Sequence, residues 1–521
     1  MLTPFELSAA VARRIALLAI IVLATARAAD EPFRIDYSIE VGSVDDTHFH
    51  VVAEVQNIRQ ESLEFSLPVW TPGWYTLENY ARNISRLIVR GPDGKRLNHE
   101  RTHKQSWRVN TQGAASIKIE FDYNATKLAL NQAKIEADYA FFTGTELFVF
   151  AEGHRDCASL LRLKFPADWK AVSALKETDD PRVFSAANYD ELVDGPVLMG
   201  QFDARKFEVL GKPHWYVTLP KGAIQDPKAT EITDSLTKIV GSAGKMFGGL
   251  PYDKYVFFHF FKPSETRAAG GLEHANSHVS FFARGEFTAL APIEWMAAHE
   301  YFHVWNVKRI RPAQLWPYDY SREVETPLLW VSEGFTTYYG NVLLYRAGLS
   351  SRPEFYEAAA GSIAQVESSP VREFVSPSEA SASTWLSYDN HIPFELSYYL
   401  TGRNLAVLLN LSILHDTNGQ RDLDDVMRAL YADFYLKNKG FDTRDLLAEI
   451  QQISGRDYAE FFKKHVDGVE RPPYETILGF AGMKLQFSKQ RDGFGNLHAT
   501  LVEQPDATEA QKKVRDAWMK K

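Results

Sequence analysis

The sequence predicts a multidomain α+β protein: an all-β N-terminal domain, a mixed α/β middle domain and a C-terminal α-helical domain. Three observations carry this reading. Apolar residues alternate with period two from about residue 31 to 205, the pattern turns mixed after Gly211, and helical spacing takes over beyond Ser350. A chain of 521 residues exceeds the usual size of one domain, and 45% hydrophobic with 24% charged residues is ordinary globular composition.

Residues 1–28 have the layout of a secretory signal: Arg13 and Arg14, the apolar run Ile15 to Leu23, then Ala26-Arg27-Ala28 as a small-x-small cleavage site. That run is much shorter than the ~20 residues a membrane span needs, so no stable span is expected after cleavage. Export to a bacterial periplasm or to the medium is the expectation. The net charge is −9, and the leader is basic, so the remainder of the chain is more acidic still. This balance excludes nucleic acid and anionic membrane surfaces as the expected partners. Cys157 is the single cysteine, which rules out an intrachain disulfide and a thiolate metal cage.

In the predicted all-β domain, 29–205, Phe33, Ile35, Tyr37, Ile39 and Val41 alternate with polar neighbours, as do Ile117, Ile119, Phe121 and Tyr123. Gly91-Pro92-Asp93-Gly94 and Thr71-Pro72-Gly73 mark turns. The aromatic stretch Leu67 to Trp74 reads as turn and core packing rather than a carbohydrate platform. The mixed α/β domain, 206–349, opens with a helix around Ile232 to Phe247 and an apolar strand Tyr255 to Phe261. A turn at Gly270-Gly271, a strand Val279 to Phe282 and a helix started by Pro292 come next. The helical domain, 350–470, holds Glu354 to Val366, Glu395 to Leu414, Leu423 to Tyr435 and Thr443 to Ile453. Arg471-Pro472-Pro473 begins a short extension, 471–521, with a strand Met483 to Phe487 and a charged helix from Thr508.

The sharpest feature is His299-Glu300-Tyr301-Phe302-His303, within an apparent helix Trp295 to Trp305. Residues four apart share a helix face, so both imidazoles can reach one ion while Glu300 meets the water on it. Zinc suits such ligands. A third ligand leaves one position open, and Glu333 supplies a carboxylate after 29 intervening residues. Thr337, one turn later, is placed to bond the outer nitrogen of a liganding imidazole. Lys308, Arg309 and Arg311 read as a solvated or carboxylate-paired cluster, and His274 and His278 as a weak case for a second metal.

Several stretches together carry a resemblance. They are His299 through Pro312, Trp330-Val331-Ser332-Glu333-Gly334-Phe335-Thr336, Gly270-Gly271-Leu272-Glu273-His274, Leu67 through Gly73, and Ser397 through Gly402. The sequence resembles the glycyl aminopeptidase family of gluzincin zinc metallopeptidases over nearly the whole chain after the leader. The resemblance implies a thermolysin-like catalytic domain, one Zn²⁺ per chain, peptide substrates, and removal of N-terminal residues, small ones such as glycine preferred. It makes His299, His303 and Glu333 the ligands and Glu300 the general base. Glu273 would bind the free ammonium, with the backbone of Gly270 and Gly271 pairing with the substrate. Tyr399 would donate to the oxyanion, with Tyr398 beside it as the alternative. Thr401 and Asn410 depart from the family's lysine and aspartate at those places. The extension after Pro473 is too short for the PDZ domain that many members carry. Two competing readings are a zinc endopeptidase and an inactive peptide-binding envelope protein; Glu273 speaks against the first, and the intact Glu300 and ligands against the second.

Overall fold

The computed structural model describes residues 31–42, 47–262, 270–283, 289–388, 395–491 and 497–520. The leader 1–28 lies outside them. The N-terminal region is built of seven-, five- and four-stranded sheets. Strand Arg34–Val41 pairs antiparallel with His48–Gln56, which pairs with Ser116–Asn124. Ile35, Tyr37, Ile39 and Val41 are buried, as are Ile117, Ile119, Phe121 and Tyr123, because side chains two apart share one face of a strand.

The catalytic segment is a five-stranded sheet in the order Asp203–Val209, Lys212–Leu219, Tyr255–Lys262, Ser277–Ala283, Gly270–His274. Its central strands are buried on both faces, as parallel strands covered on both sides are, with His259, Ser277, His278 and Ser280 among the buried residues. One face packs on the N-terminal region, where Phe141 meets Phe260 edge-on at 5.1 Å. Gly270 and Gly271 do not form the expected turn; they open the edge strand itself, Gly271 opposite Ser280 and Glu273 opposite His278. Their lack of side chains is used for close approach rather than for a positive φ, as the active site shows.

The helix Ala291–Phe302 carries Pro at its start and, past an exposed Ala291 and Pro292, is buried nearly all round except at Trp295. It ends earlier than the apolar pattern suggested, so that His303 is its C-cap. Helix Gly334–Arg346 packs beside it, with Phe302 stacked on Tyr339 at 4.3 Å. The helical region comes next, with Arg352–Ser368, Tyr398–Asp416, Leu423–Asp433 and Thr443–Ser454. After Pro473 come a short helix Tyr474–Gly479, a hairpin Met483–Arg491 with Leu497–Glu503, and helix Glu509–Trp518. The hairpin's second strand and the short helix escaped the sequence reading. The extension has no core of its own: Trp518 packs against Phe355 and Tyr356 of the helical region. Among the described residues no helix is long and apolar enough to cross a membrane.

Candidate active site

Helical geometry puts His299 and His303 on one face, and the structure brings Glu333 to them. The two Nε2 atoms are 3.2 Å apart, and Glu333 Oε2 lies 3.5 Å from His299 Nε2 and 3.4 Å from His303 Nε2. A tetrahedral ion with bonds of ≈ 2.0–2.1 Å sets its ligands about 3.3–3.4 Å apart. The three buried donor atoms therefore fit one divalent cation of the zinc kind. Burial alone would lower the basicity of His303, yet Glu333, Glu273 and Glu300 outweigh it and raise its pKa well above the usual imidazole value. The site favours positive charge at this point. Burial opposes ionisation of Glu333, but His303 and His299 hold its carboxyl below the usual range.

The outer nitrogen of His303 is fixed by Asn306, whose carbonyl accepts from Nδ1 at 2.7 Å, leaving Nε2 bare toward the site. Asn306 Nδ2 in turn donates to the carbonyls of Val331 (2.9 Å) and Ser332 (3.1 Å), just before Glu333. One residue thus ties the end of the histidine helix to the segment bearing the carboxylate. Thr337 does not take the part expected of it; its hydroxyl donates to the Glu333 carbonyl at 2.8 Å, closing a turn of its own helix.

Two glycines set the packing of the helices around this centre. A Cβ on Gly402 would overlap the Trp330 carbonyl, and one on Gly334 would overlap the Gly402 backbone. Helices therefore cross here backbone to backbone, which brings Tyr399 over the histidines. Its ring stacks on His299 with centroids 6.2 Å apart. Tyr398 stacks on Tyr399, but its hydroxyl is engaged with Thr384 Oγ1 at 3.1 Å. The departure at Asn410 leaves this intact, since its side chain accepts from Leu423 N at the start of the next helix.

Glu300 lies over the edge strand: a Cβ on Gly271 would overlap its carboxylate. Glu273 faces the same space. Donor atoms of Glu273, Glu300 and His303 lie within 4.8 Å of one another, and Glu273 Oε1 and Glu300 Oε2 are buried without a hydrogen-bond partner. Burial raises the pKa of both carboxyls. All these groups line one cleft of about 600 Å³, with Gly270, Trp295, Tyr388 and Tyr398 also in its walls.

The cationic residues after the motif are carboxylate- and carbonyl-paired. Lys308 Nζ lies 2.6 Å from Asp194 Oδ1, and Arg309 donates to the carbonyls of Ala275, Val304 and Pro251. His274 Nδ1 lies 3.2 Å from Asp194 Oδ1, and His278 pairs with His259 at 3.1 Å. Asp194, in the N-terminal region, was missed by sequence reasoning, and nothing local marks it.

Comparison with known proteins identifies the family of the chain. A family model described as the peptidase M61 N-terminal domain matches residues 36–201, and one described as M61 glycyl aminopeptidase matches 293–405. Together they take in more than half of the chain. The chain belongs to the M61 glycyl aminopeptidase family. It is a metallopeptidase of the aminopeptidase type. Among solved structures, an aminopeptidase N family protein from Idiomarina loihiensis is 25% identical with a TM-score of 0.82, covering 88% of this M61 chain and 80% of its own. An M1 zinc metallopeptidase from Deinococcus radiodurans (14%, TM-score 0.54, 85% and 96% covered) and native yeast LTA4 hydrolase (14%, TM-score 0.52, 85% and 69% covered) share the fold. No curated protein sequence matches. The multidomain α+β architecture expected of an M61 peptidase is the one observed.

Proposed function

We propose that the protein is a zinc aminopeptidase that removes N-terminal residues, small ones such as glycine or alanine preferentially, from peptides. His299, His303 and Glu333 hold one zinc ion; it supplies, when bound, a water of pKa ≈ 7 and a Lewis acid for the scissile carbonyl. Glu300 accepts a proton from the attacking water and passes it to the leaving amine. Glu273 accepts hydrogen bonds from the substrate's ammonium, fixing the chain end over the site, while the edge-strand backbone at Gly270 and Gly271 pairs with the peptide. Tyr399 donates its hydroxyl to the developing oxyanion; the engagement of Tyr398 with Thr384 favours Tyr399 for this part. A structure of the Deinococcus radiodurans M1 metallopeptidase holds a Tyr-Ser-Ala substrate, which supports peptides as the substrate class.

The observation that carries the exopeptidase reading is the Glu273 carboxylate, buried beside Glu300 with an oxygen free of protein partners. A buried acceptor left unpaired is costly, and a ligand ammonium relieves that cost. The test is a panel of short peptides led by glycine, alanine, leucine or glutamate, each with a free and an acetylated N-terminus, with and without chelator. Chelator-sensitive cleavage of free ends only is expected, and Glu273→Ala should erase the discrimination between free and acetylated ends. Equal cleavage of acetylated peptides by the unaltered protein would make it an endopeptidase. Absence of turnover by zinc-loaded protein would leave the peptide-binding reading.

We also propose export, on the charged, apolar and small-residue order of residues 1–28. A mature N-terminus near Ala29 in protein recovered from the periplasm or medium is the expected result; a retained leader on cytoplasmic protein would overturn it.

A further inference from the structure

The Thr71-Pro72-Gly73-Trp74 turn belongs to the N-terminal all-β region, about 200 residues before the nearest catalytic group, yet Gly73 and Trp74 line the active-site cleft. The turn is rigidly held. Val69 N donates to the Tyr320 carbonyl at 2.9 Å, Trp70 Nε1 to that of Asp319 at 2.8 Å, and Thr71 Oγ1 lies 2.7 Å from the Tyr80 hydroxyl. Gly73 has φ +98°, a conformation L side chains rarely adopt. The space a Cβ would need there is also filled. Glu273 Oε1 and Oε2 would lie 2.6 and 2.8 Å from it, so the carboxylate rests against the bare Cα of Gly73.

Trp74 stands next to that contact. Its ring meets Tyr388 edge-on at 5.2 Å, and the Tyr388 hydroxyl lies 3.4 Å from the Gly73 carbonyl oxygen. The Trp74 Nε1 is buried without a protein acceptor, although a buried indole N–H normally has one. The side chain packs with the cluster that contains Leu130, Leu272 and Phe281. These features rest on the same carboxylate that the aminopeptidase reading assigns to the substrate ammonium, and the inference rests on that reading.

We propose that Trp74 is a specificity-determining residue, the wall that limits the size of the substrate's first side chain, and that Gly73 positions Glu273. The geometry stems from the anchor. With the ammonium held at Glu273, the first side chain begins about 2.5 Å from that nitrogen. Trp74 follows the glycine on which that carboxylate rests and lines the same cleft, backed by Tyr388, and the first side chain is placed against it. A first residue with little or no side chain fits; a branched or aromatic one meets the indole. The selectivity of the catalytic domain is then written partly in the all-β region, which explains why this turn is buttressed so heavily.

The test compares zinc-loaded full-length wild type, Trp74→Ala, Trp74→Phe and Gly73→Ala on free-ended tripeptides led by glycine, alanine, leucine or phenylalanine. Removing a wall that excludes several methylenes should raise kcat/KM for leucine relative to glycine by at least about tenfold in Trp74→Ala. Trp74→Phe, which keeps an aromatic ring against Tyr388, should move the ratio the same way by a smaller factor. Gly73→Ala should raise KM for every free-ended peptide with little change in ranking, because the added Cβ displaces the Glu273 carboxylate. Wild-type ranking in both Trp74 variants would overturn the inference; if Trp74→Ala loses its zinc through misfolding, Trp74→Phe alone decides. The anchor reading is judged separately. Free-end discrimination that survives Glu273→Ala refutes the anchor, whereas a lost discrimination with an unmoved Trp74 ranking refutes only the wall.

Discussion

Glu300→Gln is expected to lower kcat by about 10²- to 10⁴-fold while the purified protein keeps the wild-type zinc content. The expectation comes from position. Glu300 is adjacent in sequence to His299 but about 100° round the helix from it, so its carboxylate stands apart from the His299, His303 and Glu333 set, over Gly271 and within 4.8 Å of a His303 nitrogen. The amide of glutamine has the same shape and fills the same space above that glycine, so packing and metal binding should be unaffected. What it lacks is an oxygen able to take and return a proton. Measuring kcat and bound zinc on one preparation separates the two functions. A variant that loses zinc together with activity would place Glu300 in the metal's coordination, and a variant of nearly normal kcat would remove it from the proton transfer.

The sequence made the metal-binding chemistry legible because that chemistry is local. Two histidines four apart on a helix must share a face, and Glu333, the carboxylate proposed as third ligand, sits at the start of the next helical pattern, so spacing alone suggested a set that the folded chain brings within 3.5 Å. The period-two pattern revealed the all-β half for the same reason. Gly270 and Gly271 were misread as a turn because glycine commonly marks one; here its missing side chain makes room for Glu300 above an edge strand, a requirement that arises only in three dimensions. Thr337 was given a role that Asn306 fills. Both lie near the motif, and what separates them is the sharp end of the helix at His303, which aims the Asn306 carbonyl rather than a threonine hydroxyl at the imidazole. Trp74 and Asp194 were out of reach altogether, since each acts across a boundary between regions far apart in the chain.

Asp194 shows how much depends on that boundary, and Asp194→Ala is expected to destabilise the protein by about 3–5 kcal/mol near neutral pH, because it leaves Lys308 buried without its counter-charge. The Asp194 carboxylate accepts from Lys308 Nζ and from the backbone N–H of Ala275, both at 2.6 Å. It thereby joins the segment after His303 to the turn just beyond Glu273. Burial would raise the Asp194 carboxyl, but Lys308 and His274 outweigh it and hold its pKa well below the usual carboxylate range. A carboxyl whose pKa is depressed by folding contributes stability that is fully present above the unfolded value of about 3.9 and is lost as pH falls below it. The gap between wild type and Asp194→Ala, read as the shift in urea midpoint, should therefore narrow progressively below pH 4. In the wild type, Lys308, whose pKa burial lowers but Asp194 raises further, keeps its charge throughout that range. The same variant should show a raised KM for free-ended peptides, since the turn holding Glu273 in place has lost its tie to the zinc-binding segment. A gap independent of pH down to pH 3 would mean that the charge of Asp194 is not what stabilises the junction, and an unchanged KM would mean that Glu273 is held by Gly73 and the sheet alone.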